Sequence, residues 1–239
     1  MIDFRNDYAQ GAHEQVLGAL AGLAGQGFSG YGEDDLCRAA QERVRRLTGQ
    51  PGAALYFLSG GTQANLTVIA SILRPHQGAV AADTAHIAAH ETGAIEATGH
   101  KVLTLPHRDG KVNPDDIERM VAAHYADDSF EHTVQPGMVY ISNTTELGSI
   151  YTAQELEGIS RVCRARGLPL YLDGARLGYA LASEGNDLTL EKVSALCDAF
   201  TIGLTKQGAL FGEAVVIVNP ALQKDFRYII KQRGGMLAK

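Results

Sequence analysis

Seven short runs of apolar, often β-branched residues punctuate the chain, at 53–58, 78–83, 101–105, 138–143, 168–173, 200–204 and 214–218. Each has the length of a strand, and several are apolar at consecutive positions rather than alternate ones. That is the pattern of strands covered by helices on both faces. Stretches with helical periodicity lie between them, so the chain reads as βα units around a mostly parallel sheet, a three-layer αβα member of the α/β class.

The helix boundaries carry their own punctuation. Asn113 is placed as an N-cap with Pro114 at the first helical position, and Asp115, Asp116 and Glu118 lie near the positive end of the helix dipole. Thr152-Ala153-Gln154-Glu155 has the form of a capping box before a helix that ends near Gly167. Residues 33–48 are amphipathic and predict a surface helix. Residues 125–135 read as an exposed connection, and residues 220–233 as a last helix.

Composition narrows the function classes. The 239 residues carry a net charge of −6, which is the wrong sign for a nucleic-acid footprint. No apolar run approaches the roughly 20 residues that span a bilayer, so no membrane partner is expected. Met1-Ile2-Asp3-Phe4-Arg5 lacks the basic-then-apolar layout of a signal peptide. Cys37, Cys163 and Cys197 are odd in number and far apart, which suits thiols in a reducing compartment. A cytoplasmic location is expected.

Four segments could carry chemistry. Ser59-Gly60-Gly61-Thr62-Gln63-Ala64-Asn65 follows a strand and opens a helix, where free N–H groups attract an anion. The same turn could simply be a tight βα connection capped by Thr62. It has neither the Walker nor the Rossmann glycine spacing. Asp173-Gly174-Ala175-Arg176 ends an apolar strand, where ligands of open α/β sheets bind, although Asp173 could equally be a helix cap with Arg176 solvated. Lys206 immediately follows the apolar run 200–204, so its amine falls on the same rim and could form a Schiff base; a solvated loop lysine is the plainer alternative. His86 and His90 are four apart and could share a metal, but the position after the first histidine is Ile87 rather than the glutamate of zinc proteases, so no metal is expected. A packed and an exposed histidine, or a ring stacked on a cofactor, remain open.

Together these segments resemble the threonine aldolase and β-eliminating lyase family of fold-type I pyridoxal-phosphate enzymes. The likeness is collinear from Ile2 to about Met236. It includes Phe4-Arg5-Asn6-Asp7, Gly30-Tyr31-Gly32-Glu33-Asp34, the turn at 59–65, Ala85-His86, His90-Glu91-Thr92-Gly93-Ala94, Asp173-Gly174-Ala175-Arg176 and Thr205-Lys206. The resemblance implies the fold-type I large domain over residues 1–239, with an arm of about 30 residues included and without the small C-terminal domain that relatives add. It implies pyridoxal 5'-phosphate as cofactor, with Lys206, His86 and Asp173 as the catalytic set. Lys206 would hold the cofactor aldehyde, Asp173 would face the pyridine nitrogen and His86 would stack on the ring. Gly60, Gly61 and Thr62 would bind the phosphate, with Thr205 and Arg176 also at the cofactor. Arg176 would meet the substrate carboxylate, and Asn6, Tyr31 and Glu91 would line the substrate site.

The activity implied is a lyase reaction on a small amino acid, foremost retro-aldol cleavage of a β-hydroxy-α-amino acid to glycine and an aldehyde, in a homodimer or homotetramer. Family aldolases often carry histidine after an Asn-Thr pair near position 140, whereas this chain reads Asn143-Thr144-Thr145-Glu146. β-Elimination or transamination on the same cofactor, a catalytically impaired cofactor-binding fragment and a Rossmann-like nucleotide binder are the competing readings.

Overall fold

The computed structural model describes residues 5–238; Phe4 of the Phe4-Arg5-Asn6-Asp7 segment, the three residues before it and Lys239 lie outside the described residues. All seven apolar runs form strands, shifted by one to three residues at their ends. They are β1 (Ala54–Leu58), β2 (Gln77–Ala82), β3 (Val102–Leu105), β4 (Gln135–Ser142), β5 (Leu170–Asp173), β6 (Ala199–Gly203) and β7 (Glu213–Ile217). One sheet contains them in the order β1-β7-β6-β5-β4-β2-β3. β7 is antiparallel to both neighbours, and the pairs from β6 to β3 are parallel. β4 starts three residues earlier than the sequence pattern suggests because Gln135 and Pro136 pair with Gln77 and Gly78. The connection expected at 125–135 is correspondingly shorter.

The helices are α1 (Glu14–Ala21), α2 (Asp35–Thr48), α3 (Gly61–Ile72), α4 (His86–Ala89), α5 (Pro114–Ala126), α6 (Ala153–Arg166), α7 (Leu177–Ala182), α8 (Leu190–Leu196) and α9 (Phe226–Gln232). The boundary signals act as their chemistry dictates. The Asn113 side chain accepts from the Asp115 N–H, both bonds of the Thr152–Glu155 capping box form, and Gly167 closes α6 in the left-handed region at φ 65°. The helix expected over 220–233 is broken. Asp225, at φ 60°, separates a 3-10 turn at Pro220–Leu222 from α9.

Helices cover both faces of the sheet: β5 and β7 are buried along their whole length, and β2 along all but its first residue. Tyr140, Tyr171, Phe200, Phe226, Met138 and Ile69 are among the fully buried side chains. Burial of each such apolar group stabilises the fold by about 1.5–3 kcal/mol before chain entropy is subtracted. Two carbonyls on the outer edge at β1 are also satisfied. Gln41 Nε2 donates to Leu55 O at 3.1 Å, and Arg45 Nε donates to Ala53 O at 3.0 Å. Four residues along α2 thus match two residues along the strand, the spacing at which each presents one face.

α1 is different: it buries none of its residues, and Val16, Leu17 and Leu20 face outward. The arm leading into it crosses the rim of the sheet, tied down by a 2.9 Å bond from His13 N to Gly208 O. Two glycines bring the rim loops together. A Cβ on Gly174 would lie 1.9 Å from Thr201 O, and one on Gly203 would lie 2.1 Å from Ala175 O. Only glycine permits the 2.8 Å bond from Gly203 N to Gly174 O, which clamps the end of β5 to the end of β6.

Candidate active site

The strand ends enclose a cavity of about 360 Å³. Gly60, Gly61 and Thr62 line it from the turn after β1, His86 from α4, and Asp173, Ala175 and Arg176 from the end of β5. Thr205 and Lys206 enter from the loop after β6. Eight sequence-predicted residues (Gly60, Gly61, Thr62, His86, Asp173, Arg176, Thr205 and Lys206) therefore meet in one place. Tyr8 of the N-terminal arm covers them, with Lys206 Nζ 5.9 Å from its ring centre.

Asp173 is only 6% exposed, yet its carboxylate is well provided with donors. Asn65 Nδ2 and the Tyr140 hydroxyl donate to Oδ2 at 2.9 and 2.7 Å, and Ala175 N donates to Oδ1 at 2.9 Å. Complete burial pushes the Tyr140 phenol well above its ordinary value, so it remains a donor to Asp173. The helix-cap reading of Asp173 is thereby displaced. Asp173 is part of a buried network, and Arg176 occupies the N-cap position of α7 without a capping bond. Arg176 is half-buried rather than a free surface residue, and its guanidinium makes a two-pronged ion pair with Asp7 of the arm.

Asn65 joins this network to His86. Its Nδ2 also donates to Glu91 Oε1 at 2.7 Å, its Oδ1 accepts from the Tyr171 hydroxyl at 2.8 Å, and Glu91 Oε1 meets His86 Nδ1 at 2.8 Å. The hydrogen bond to Glu91 raises the imidazole above its usual value against the opposing effect of burial, with the charges of Glu91 and Asp173 adding to the rise. Changing Glu91 to Gln should lower the His86 midpoint, read from its ring protons in an NMR titration. A raised midpoint means that the pair stabilises the fold fully below about pH 6.5 and that this contribution fades as pH rises through the folded midpoint. The variant should therefore lose more stability in acid than in base, and equal losses would rule the coupling out.

Three predicted site residues are not where the sequence reading puts them. The side chain of Glu91 is buried behind His86 and Asn65, so it orients the imidazole instead of lining the cavity. Tyr31 lines a separate hollow with Arg227, Ile230 and Met236, held there by the bond from its N–H to Leu237 O. Asn6 Oδ1 accepts from Tyr8 N, an internal contact of the arm, and it is Asp7 and Tyr8 that reach the site. Thr62 does not cap α3, because Gly60 holds the N-cap position and has no side chain to offer. His86 and His90 lie 5.8 Å apart ring to ring, and among the described residues no three His, Cys, Asp or Glu side chains gather to hold a metal.

The sequence reading missed Ser142, Glu146 and Glu213, which share the cavity. Glu146 Oε1 accepts from His86 N at 2.8 Å and from Ser142 Oγ at 2.7 Å, bracing the entry to α4. Glu213 carried a legible signal: an acid opening an otherwise apolar strand needs a reason.

The sheet order, the lysine on the rim after β6 and the acid ending β5 define a fold-type I large domain. An Escherichia coli aminotransferase has this fold too, with a TM-score of 0.74 over 97% of this chain and 58% of its own at 13% identity. The chain belongs to the β-eliminating lyase family, whose model matches residues 3–239. It is similar to the solved threonine aldolase of Leishmania major, with 50% identity and a TM-score of 0.94 over 98% of this chain and 67% of that one. It is also 35% identical over 211 residues to the low-specificity L-threonine aldolase of Pseudomonas sp. strain NCIMB 10558, covering 87% of this chain and 60% of that protein. The chain thus spans about two thirds or less of these relatives' length. Membership of the family implies pyridoxal-phosphate dependence. Among the described residues no helix is long and apolar enough to cross a membrane.

Proposed function

We propose that this chain carries the cofactor centre of a pyridoxal-phosphate lyase that cleaves a β-hydroxy-α-amino acid to glycine and an aldehyde. The observation that carries the reading is the convergence of Lys206, Asp173, His86 and the uncapped start of α3 on one cavity. This donor set fits the cofactor: an amine for its aldehyde, backbone N–H groups for its phosphate, a carboxylate for its ring nitrogen and an imidazole for its ring face. When bound, the cofactor supplies an electron sink for the pair left on the substrate α-carbon. Asp173 favours the protonated ring nitrogen by opposite charge, and its three donors fix the carboxyl group in orientation. His86, set by Glu91, presents a rigid ring. Lys206 would hold the cofactor aldehyde, and as a free amine it would move a proton at the α-carbon. Arg176 takes the substrate carboxylate in place of Asp7. Glu146, one residue beyond Thr145, where family aldolases often carry histidine, lines the cavity and accepts the β-hydroxyl proton.

The chain acts as a homodimer or larger assembly. The exposed Leu20 and Phe28 of the arm and Leu36 of α2 border a further hollow of about 650 Å³ and form an apolar face for a second copy. The test supplies the full chain with pyridoxal phosphate and, separately, threonine, allo-threonine, serine and cysteine. Glycine with acetaldehyde from either threonine isomer is expected, from a species that light scattering sizes as at least a dimer. A 2-oxo acid with free ammonia would mean elimination, and a 2-oxo acid without ammonia would mean transamination; either would replace the aldol reading.

A further inference from the structure

Glu213 opens β7, and because β7 runs against its neighbours, its first residue lies on the rim where the parallel strands end. It stands between Leu58 of β1, just before the glycine turn, and Gly203 of β6, three residues before Lys206. The side chain lines the cavity, is 3% exposed, and its Oε2 has no hydrogen-bond partner. A carboxylate buried in that state is costly, so such a group either keeps its proton or awaits a ligand.

Its surroundings indicate which ligand. A Cβ on Gly61 would lie 4.0 Å from Glu213 Oε1, which places the carboxyl against the first turn of α3. That turn starts a 12-residue helix whose N-cap, Gly60, offers no capping side chain. The titratable groups facing Glu213 are Asp173 and Tyr171 from β5 and Lys206 from the loop after β6; α3 and the end of β1 present only backbone and neutral side chains there. Burial, followed by the like charge of Asp173, pushes the Glu213 carboxyl up to about 8, against the opposing pull of Lys206.

We propose that Glu213 is the acid half of an anion cradle, donating a hydrogen bond through its proton to a dianionic phosphate group seated at the start of α3 and repelling that group once the proton is lost. The inference rests on the cofactor reading above and adds to it a proton-dependent contact. Backbone N–H groups alone would bind phosphate with little dependence on pH in the neutral to alkaline range, since the second ionisation of a phosphate ester is complete by about pH 7. With Glu213 in the cradle, each phosphate bound above the carboxyl's midpoint must bring one proton with it.

The experiment titrates the full chain with pyridoxal phosphate, inorganic phosphate and pyridoxal from about pH 7 to about pH 9.5, by calorimetry in buffers of different ionisation heat. Both phosphate-bearing probes should take up about one proton at the alkaline end and weaken roughly tenfold per pH unit above about pH 8. Pyridoxal, which lacks the phosphate, should show no such slope. Glu213→Gln keeps a donor of the same shape that does not titrate, so its phosphate affinity should be flat and exceed that of the native chain in base. A flat profile in the native chain, or the same slope in the glutamine variant, overturns the proposal. The proton count on the native chain decides the matter even where the variant folds poorly. A chain that binds inorganic phosphate with the predicted slope but not pyridoxal phosphate would support the cradle and sink the cofactor reading, so the two failures are separable.

Discussion

Lys206→Ala should abolish covalent attachment of pyridoxal phosphate and reduce turnover by at least about 10³-fold. Positioned proton transfer alone contributes on the order of 10²–10⁴-fold, and the substitution also removes the tether that places the cofactor. The fold should survive. The loop bearing Lys206 is held by Thr205, whose N–H donates to Gly212 O at 3.1 Å while its hydroxyl accepts from Gly212 N at 2.9 Å, and neither bond needs the lysine side chain. The backbone carbonyl of Lys206, which accepts from the Tyr179 hydroxyl, is likewise retained. Borohydride reduction of the native holoprotein followed by peptide mapping should put the pyridoxyl mass on Lys206. Finding it on Lys224 or Lys231 would refute the assignment, as would full activity of the alanine variant.

Asp173→Asn should slow turnover on the order of 10³-fold, about 4 kcal/mol of barrier, while weakening cofactor binding much less. The rate loss follows from removing the charge that favours a protonated ring nitrogen. A stability loss should accompany it. The Asp173 carboxylate accepts from Asn65 and Tyr140 on one oxygen and from Ala175 on the other, so an amide in either orientation sets its NH₂ against a donor. One buried mismatch of that kind costs about 1–3 kcal/mol. Thermal unfolding and steady-state kinetics on the same sample separate the two effects. Near-normal turnover in a destabilised variant would leave Asp173 with a purely structural role.

The fold was legible because its determinants are local. Strand-length apolar runs, Asn113-Pro114, the Thr152–Glu155 box and Gly167 each act within a few residues, and each appears where the pattern places it. The break at Asp225 escaped notice because nothing in the residues around it forbids a continuous helix. α1 escaped because its apolar side chains face outward, leaving no buried stripe to read. The site divides along the same line. Residues directly after strands, such as Lys206 and Asp173, could be placed on the rim from the order of elements alone. Asn65 and Tyr140 carry no such signal, and Glu91 is expected in the substrate site rather than behind His86, because their roles depend on a network linking residues 26 to 108 positions apart. Tyr31 and Asn6 show the converse limit. Proximity to a motif in the chain did not bring either into the cavity that its neighbours form.

The bonds from α2 to the outer edge of β1 bear on how molecules of this protein meet during folding. Until Gln41 and Arg45 arrive, the carbonyls of Leu55 and Ala53 face outward as a template on which a strand from another molecule could add. Most contacts of the sheet join distant parts of the sequence and form slowly, whereas α2 and β1 are separated by only five residues, 49–53. Docking α2 is therefore a short-range event that can outrun the rest of the sheet and close the edge before a neighbour finds it. In a crowded solution, that timing favours monomer folding over runaway sheet extension.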